Sequence, residues 1–430
     1  MIVKDSASVQ RIIEAGERNA TVLETGKIRV IIDDEGGMVP ELSTLQDWRT
    51  LNAHWIPYFR ANTGVSWDEK RHRSYWKSRY LYHMAGGFPC LPNFGEAHII
   101  DGGVMPAKGW TASECWRFEK SGIDENAGGA AWAMSSLSKT GCGLDLSFSK
   151  IDAVFPGSPV HYTSIRVTNN DDKPAVINAG WQSTIGAPFL QAGCRISACA
   201  TRWVTPPPGT EWDETGRLAP GTEFASLYKA PLALGGRCDI SAVPGLIGYS
   251  DFVAGAVSDR AFLGWFSVVN TAQKLVYLNF FIGPMAAGED DIVISFNNLW
   301  MQYGGRSFTP WSLYDGGTDQ NFCLGLANSV SALGGGLEYA RQASELLDNP
   351  ATVTIPPHEA RTLRYGSLFA PYENNILDDG ITAIEAEANA LVCIKSGTWN
   401  FPADPSFSQL KKLETACRGP EGAFLERGVP

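Results

Sequence analysis

Ionisable residues that could transfer protons gather in one stretch of the chain. The segment EAHIIDGGVMPAKG contains His98, Asp101 and Lys108, and Asp251 follows much later. A histidine titrates near neutral pH, and a desolvated lysine can act as a base or bind an anion. We take His98, Lys108 and Asp251 as the candidate catalytic residues. For His98 and Lys108 the plain alternative is a solvated side chain without a chemical role.

Aromatic and planar polar side chains form a second group of candidates. The chain has 14 tryptophans, many of them next to Gly, Gln, Asn or Arg. A saccharide has a hydroxyl rim and a weakly apolar face, so its pockets combine flat rings with amide, carboxylate and guanidinium groups. A core tryptophan is nevertheless the commoner role for any single one. The candidate substrate-binding residues are Arg60, Trp110, Gln182, Trp300 and Gln302.

The composition argues against several classes of function. The formal net charge of −11, without a long basic run, disfavours a nucleic-acid partner. No apolar stretch has the length of a membrane span, and the first residues lack the apolar core of a secretory signal, so we expect a cytoplasmic protein. The nine cysteines form no CxxC pair, and no HxxxH or HExxH pair occurs, so we expect neither disulfides nor a metal site. Dinucleotide, phosphate-loop and hydrolase-elbow motifs are also missing, so we expect no cofactor.

The elements that must position these residues are predicted to be mostly strands. The 45 glycines and 25 prolines are spread along the chain, as in a protein of many short strands and turns. Residues 21–33 predict an early hairpin around a Thr-Gly turn. Alternating or β-branched patterns predict further strands at residues 131–137, 144–151, 160–167, 275–282, 292–295 and 351–355.

Helices are predicted only at residues 6–20, 336–348 and 380–390. Residues 203–224 have little β pattern and predict a long excursion between strands, either a plain surface loop or part of a site. No repeat or low-complexity tract divides the chain. We therefore predict one domain over residues 1–430, with a helical lead-in at 1–20 and a C-terminal extension at 375–430 packed on the domain.

Three segments carry recurring motifs: residues 89–118 with PCLPNFG, MPAKGW and CWRF, residues 167–193 with VTNNDDKP and GWQSTIGAPFL, and residues 299–327 with LWMQYG and LGLA. In order and spacing they resemble motifs of galactose mutarotase-like proteins. With the region of Asp239 and Asp251, the resemblance covers most of residues 20–370. It implies one large, twisted antiparallel β-sandwich with few short helices. It also implies that Trp110, Gln182 and Trp300 line one cleft.

The same resemblance implies a chemistry that this chain alters. Family members that interconvert sugar anomers use a histidine as general acid on the ring oxygen and a glutamate as general base on the anomeric hydroxyl, while a second histidine and an arginine hold the sugar. At three of the matching positions this chain has Lys108, Gln182 and Ala327. Glutamine cannot deliver a proton and alanine cannot accept one.

Two hypotheses follow for the function. The first is a sugar-active isomerase or diverged carbohydrate enzyme that acts on a mono- or oligosaccharide with relocated groups. The second is a non-catalytic saccharide-binding or regulatory protein on the same scaffold. Because a lysine replaces a histidine at position 108, we also expect a preference for an anionic sugar.

Overall fold

The computed structural model describes residues 6–14, 18–46, 49–61, 66–311 and 322–418. Within these ranges the chain forms 31 strands, and all pairs between them are antiparallel. Helices are short, and in the described part of the chain none has both the length and the apolar character to cross a bilayer. The fold is therefore mostly β, as the sequence predicts.

Two large sheets form the body of the molecule. In spatial order the eight-stranded sheet consists of β15 (Arg195–Ala198), β21 (Leu263–Asn270), β22 (Leu275–Ile282), β28 (Ala360–Pro371), β12 (Val160–Asn169), β11 (Leu144–Val154), β10 (Ala130–Gly141) and β9 (Arg117–Asp124). The seven-stranded sheet consists of β17 (Glu223–Phe224), β16 (Arg202–Val204), β20 (Tyr249–Ala256), β23 (Phe296–Tyr303), β24 (Phe322–Val330), β14 (Ala179–Gly186) and β6 (Gly87–Cys90).

Smaller sheets and helices surround these two layers. A five-stranded sheet runs in chain order through β1 (Ser8–Glu14), β2 (Arg18–Glu24), β3 (Ile28–Asp33), β4 (Glu41–Gln46) and β5 (Arg49–Asn52). The small sheets are β7 (His98–Ile100) with β8 (Gly103–Met105), β13 (Ala175–Ile177) with β27 (Val353–Ile355), β18 (Ala230–Pro231) with β19 (Arg237–Cys238), β25 (Glu345–Leu346) with β26 (Asn349–Pro350), and β29 (Ala383–Glu387), β30 (Ala390–Ile394) and β31 (Thr398–Pro402). The helices are α1 (Glu69–Trp76), α2 (Arg79–His83), α3 (Gly109–Ser113), α4 (Trp212–Thr215), α5 (Leu337–Ala343) and α6 (Ser408–Arg418).

Alternation along the strands separates two faces of the seven-stranded sheet. Trp181 and Leu326 point to the inner face, where they share one buried core with Leu146 and Tyr277 of the eight-stranded sheet. The neighbouring positions point away from that sheet and pack in a separate cluster that is rich in aromatic residues. Because side chains alternate strictly along a strand, each residue of β14, β20, β23 and β24 is assigned to one face. We call the face turned away from the eight-stranded sheet the outer face.

The C-terminal residues pack on the other side of the eight-stranded sheet. Phe407 and Leu410 are buried with Tyr162 and Phe280 in one cluster. Two polar contacts reinforce this packing, because the Tyr162 hydroxyl accepts a 2.6 Å hydrogen bond from the backbone N–H of Asp404, and Lys120 donates to the carbonyl of Cys417 at 2.7 Å. These contacts are those of an extension packed on the body, while the division of the whole chain into one domain stays a prediction.

Several predicted elements agree with the structure and others do not. The hairpin at 21–33 is confirmed by β2 and β3, and 275–282 by β22. The helix predicted at 6–20 is wrong for the described residues, since β1 pairs with β2 over its whole length. The helix at 380–390 is also wrong, because β29 pairs with β30. In both places hydrogen bonds to a neighbouring strand outweigh the local helical pattern. Residues 292–295 are buried but belong to no strand, and 336–348 holds the shorter α5 followed by β25.

Candidate functional site

The outer face brings together two of the positions that the resemblance singles out. Gln182 of β14 lies directly opposite Ala327 of β24 in the antiparallel ladder, and both are 4% exposed. Side chains paired in this way have their Cβ atoms about 5 Å apart. We call the part of the outer face formed by Gln182, Gly325, Ala327 and Trp300 the floor. Beside Gln182, Ala327 contributes only a methyl group to it.

Trp300 lies beside Gln182 on the same floor. It belongs to β23 and is paired with Gly325 of β24, which separates it from β14. A Cβ atom on Gly325 would lie 3.0 Å from Cε3 of Trp300 and 3.1 Å from Nε2 of Gln182. The missing side chain at Gly325 is what lets the indole and the amide approach each other. The indole N–H of Trp300 donates to Oγ of Ser250 at 3.2 Å, which fixes the plane of the ring.

An arginine lies among the tryptophans at one end of the floor. Cζ of Arg306 is 4.8 Å from the ring centroid of Trp300 and 4.7 Å from that of Trp311. Trp311 stacks on Trp55 at 5.7 Å, with 12° between the ring planes. Arg306 forms an ion pair with Glu211, and its side chain is 13% exposed. A cation over indole faces is stabilised by the ring quadrupoles, so Trp300 and Trp311 both favour the guanidinium at this position.

Lys108 lies at the other end of the same face. It occupies the residue before α3 in the left-handed conformation, with φ 61°, and its Nζ is 4.8 Å from the centroid of Phe94. Phe94 covers Gly180 of β14, where a Cβ atom would lie 2.8 Å from Cδ2 of the ring. Two carboxylates nearby in sequence have other partners, since Glu114 pairs with Lys139 and Arg79, and Asp101 with Arg341. In the described chain no carboxylate forms an ion pair with Lys108.

Other ionisable groups near the floor stay protonated at neutral pH. Burial raises the pKa of the Cys90 thiol to about 12, although Lys108 opposes this shift. Burial also raises the pKa of Tyr80 well above its ordinary value, and the thiol of Cys90 adds to that effect. Neither group can act as a general base at neutral pH. Of the three predicted catalytic residues, Lys108 is therefore the one whose side chain lies at this face. Its ammonium group forms no ion pair within the described residues.

His98 holds two backbone segments together. Its Nδ1 lies 3.0 Å from the carbonyl of Glu96, and its Nε2 accepts from the backbone N–H of Glu338 at 3.3 Å. A Cβ atom on Gly336 would lie 2.7 Å from Nδ1 of the ring, so the imidazole lies against the start of α5. These contacts are those of a structural histidine, and the structure does not bring His98 to the floor.

Asp251 points away from the site. It alternates along β20 with Phe252, which belongs to the outer face, and is therefore turned to the inner face. Its Oδ1 accepts from the backbone N–H groups of Arg217 and Leu218 at 2.9 Å and 3.1 Å. Burial raises the pKa of Asp251, and the two backbone hydrogen bonds oppose that shift. Asp251 anchors the excursion between β16 and β17 and does not reach the floor.

Three predicted binding residues have different surroundings. Arg60 is buried in an ion pair with Asp33 of β3. Trp110 is 3% exposed and belongs to the core shared by the sheets, beside Gly141 of the β10–β11 turn. Gln302 is fully buried and has the same parity as Trp300 on β23. Of the predicted binding residues, the structure brings Gln182, Trp300 and Gln302 to the outer face.

Sequence reasoning missed the residues that cover the floor. Glu211 and Trp212 come from the excursion between β16 and β17, and the Trp212 ring stacks on Phe252 at 5.7 Å and 18°. Arg306 follows a Gly-Gly pair after β23. The available signal was a single cation between two tryptophans in the segment WMQYGGRSFTPW.

The described residues contain no candidate metal site. Across these ranges no group of three or more His, Cys, Asp and Glu side chains could hold a metal ion.

A cavity of about 210 Å³ lies away from the outer face, between the β11–β12 turn and the C-terminal residues, where Phe155, Asn389 and Gln409 are among the lining residues.

Comparison with known proteins shows what kind of fold carries this site. No family model and no curated sequence matches the chain. Among solved structures, it is similar to a proposed aldose 1-epimerase from Klebsiella pneumoniae, with a TM-score of 0.60, 12% identity and coverage of 87% of this chain and 85% of that one. It is also similar to a galactose mutarotase-like protein from Clostridium acetobutylicum, with a TM-score of 0.53, 11% identity and coverage of 85% and 99%. A proposed aldose 1-epimerase from Escherichia coli K12 gives a TM-score of 0.51, 12% identity and coverage of 85% and 100%. The chain thus has the galactose mutarotase-like β-sandwich fold that its sequence motifs predict.

Proposed function

We propose that this protein binds a saccharide on the outer face of the seven-stranded sheet, as a carbohydrate-binding protein of the aldose 1-epimerase-related type. The observation that supports this proposal is the placement of the Gln182 amide beside the Trp300 ring over Gly325, with Lys108 farther along the same face. A glutamine amide both donates and accepts, so it can bridge neighbouring hydroxyl groups. An indole face can cover the apolar side of a sugar ring.

An anionic sugar suits the charges of this face better than a neutral one. Lys108 and Arg306 place a cation at each end of the floor. A carboxylate that reaches either cation forms a charge-assisted hydrogen bond, which is worth about ten- to a hundredfold in affinity. We therefore propose a sugar acid as the preferred ligand class.

Acid–base chemistry at this face would have to use groups other than those of ordinary anomer exchange. Opening a pyranose ring needs one proton delivered and another removed, and neither Gln182 nor Ala327 can do either. Binding without ring opening is therefore the function that the geometry supports best. An isomerase remains the second candidate because Lys108 is half-buried and has no ion-pair partner in the described chain, so it could transfer a proton.

Calorimetric titration and NMR exchange spectroscopy test both candidates together. Glucuronate and galacturonate should bind wild-type protein about tenfold more tightly than glucose and galactose, and Lys108→Met should remove much of that preference. Gln182→Leu should weaken every saccharide, because the amide contacts hydroxyls that all of them have. The exposed Lys395 supplies a matched control as Lys395→Met, which should change nothing.

The outcomes separate the two candidates. Accelerated anomer exchange that Lys108→Met abolishes would favour the isomerase. Binding without exchange would favour the saccharide-binding protein. Absence of binding to any of the four sugars at millimolar concentration would contradict the proposed function itself.

A further inference from the structure

Two consecutive residues of the excursion between β16 and β17 close over the aromatic end of the floor. Glu211 pairs with Arg306, and Trp212 stacks on Phe252. Phe252 is the cross-strand partner of Trp300, so the Trp212 ring covers the position next to the indole. In this conformation Trp300 is only 7% exposed. Trp311 and Arg306 also contact the Trp300 ring, and Glu211 and Trp212 are the part of this cover that belongs to the excursion, so we expect these two to move when a ligand uses the Trp300 face.

The segment that carries these residues is tied within itself. We call residues 207–214 the flap. The backbone N–H of Gly209 donates to Oδ2 of Asp213 at 2.6 Å, and Thr210 donates to the carbonyl of Pro207 at 3.3 Å. Gly209 has φ +89°, a conformation that favours glycine. These contacts allow the flap to move as one unit.

The base of the same excursion is fixed to the strands, and Thr215 joins it to the flap by a hydrogen bond to the carbonyl of Glu211 at 3.0 Å. Asp251 accepts from the N–H groups of Arg217 and Leu218, and Thr205 donates to the carbonyl of Ala219 at 2.6 Å. Thr215, next to the flap, donates to the carbonyl of Ser250 at 3.3 Å. Lifting the flap therefore has to pivot at Thr215, while the contacts of Asp251 with Arg217 and Leu218 can stay in place.

The ion pair gives the flap a chemical preference. The Arg306 side chain is 13% exposed, whereas that of Glu211 is 31% exposed. If Glu211 leaves for solvent, the mostly buried guanidinium of Arg306 loses its counter-charge, which is unfavourable unless another anion takes its place. A ligand carboxylate restores the pair, but a neutral sugar cannot.

From these contacts we propose that Glu211 is a built-in substitute for the acidic group of the ligand, and that a sugar acid opens the flap by replacing Glu211 on Arg306. This inference rests on the proposed function and deepens it, since it assigns to Arg306 and Glu211 a share of the ligand selectivity beside that of Lys108. The flap is closed in the ligand-free chain by its own carboxylate. Neutral sugars meet a closed flap and are confined to the end of the floor near Lys108.

The first test needs no ligand. Glu211→Gln should loosen the flap and raise the fraction of tryptophan fluorescence that acrylamide quenches. In the Glu211→Gln background, Trp212→Phe should remove that increase, because the flap then has no tryptophan to be quenched. This result would assign the signal to Trp212. The exposed Glu214, also in the flap, provides the matched control as Glu214→Gln, which should leave quenching unchanged. Equal quenching of wild type and Glu211→Gln would overturn the proposal.

The second test uses glucuronate and glucose in calorimetric titration. Glu211→Gln should tighten glucuronate binding by about tenfold, since the competing carboxylate is gone, and Arg306→Met should weaken it by at least as much. Glucose affinity should change far less in both variants. Unchanged glucuronate affinity in Glu211→Gln would sink the flap mechanism while leaving saccharide binding intact. If neither sugar binds any variant, the proposed function fails together with this inference.

Discussion

Two ion pairs in this molecule differ in where their carboxylates come from. In the core between the sheets, Lys150 and Asp152 lie 2.7 Å apart on β11, and their side chains are 0% and 3% exposed. On the outer face, Arg306 follows β23 and Glu211 belongs to the flap, with 13% and 31% exposure. The core pair is held within one strand, while the outer pair joins a sheet to a loop.

The two carboxylates also differ in how many protein groups they contact. Oδ1 of Asp152 also lies 3.0 Å from Nε2 of His161 and accepts from Thr163 at 3.2 Å, so both of its oxygens are engaged. Desolvation favours the protonated acid, but Lys150 and His161 outweigh it and lower the pKa of Asp152 to about 2. Glu211 has solvent beside it. A buried, fully engaged carboxylate is structural, whereas a partly exposed one on a loop can be exchanged for a ligand.

The largest expected effect comes from breaking the core pair. Asp152→Asn leaves the Lys150 ammonium buried without a counter-charge and should lower the free energy of unfolding by about 3–5 kcal/mol. Glu211→Gln breaks the outer pair, which water can partly replace, and should cost about 1 kcal/mol or less. Urea denaturation of both variants measures the difference. Equal losses would show that the two pairs are energetically alike and would end the comparison.

Acid should destabilise the core through the buried His54. Burial lowers the pKa of His54 from 6.5 to about 3, against the effect of its hydrogen bond to Val39. The unfolded chain therefore binds a proton between those values that the native chain does not, so stability is complete above pH 6.5 and falls as the pH drops toward 3. Between pH 7.5 and pH 5 this one group should cost about 2 kcal/mol.

Denaturation curves at several pH values check the effect of His54. His54→Gln should remove about half of the dependence between pH 7 and pH 5, because burial also lowers the pKa of His83 to about 3. The exposed His358 serves as the control, since His358→Gln should leave the slope as it is in wild type. A slope as steep in His54→Gln as in wild type would assign the acid sensitivity to His83 or another group.

A further variant fills the space above Gly325, where Trp300 and Gln182 approach each other. Gly325→Ala introduces a Cβ atom about 3 Å from both Trp300 and Gln182, so one of them must shift. We expect a loss of about 2 kcal/mol in stability from overpacking, and a weaker affinity for every saccharide. Gly397→Ala is the control, because its Cβ would meet Ile376 at an ordinary 3.5 Å. Unchanged saccharide affinity in Gly325→Ala would remove the floor from the binding site.

The comparison also explains which features could be predicted from the sequence. The hairpin of β2 and β3 follows from local turn chemistry and alternation, which act between residues close in the chain. The placement of Gln182 beside Trp300 follows from motifs whose order and spacing match a known fold. Both depend on patterns that a single chain displays directly.

Some predicted site residues lie away from the outer face for reasons that a sequence does not display. Arg60 was expected to hold the ligand, but a guanidinium pairs with whichever carboxylate the fold brings close, and that is Asp33. Asp251 was expected at the site, but its position along β20 turns it to the opposite face from Phe252. Glu211 was missed because its partner Arg306 is far away in the chain, and only the folded excursion joins them.

The smallest expected effect concerns the hydroxyl that holds Trp300. Ser250 is fully buried and accepts from the indole N–H at 3.2 Å, so Ser250→Ala leaves that N–H without a partner and should cost about 1 kcal/mol in stability. Trp311 and Arg306 still contact the ring, so its orientation and the saccharide affinity should change little.

Trp300→Phe provides the decisive background, because a phenyl ring has no N–H to satisfy. In that background Ser250→Ala should cost almost nothing, and the double-mutant cycle then isolates the hydrogen bond. A cost that persists without the indole would assign Ser250 to packing, and a large loss of affinity with unchanged stability would place its hydroxyl on the ligand.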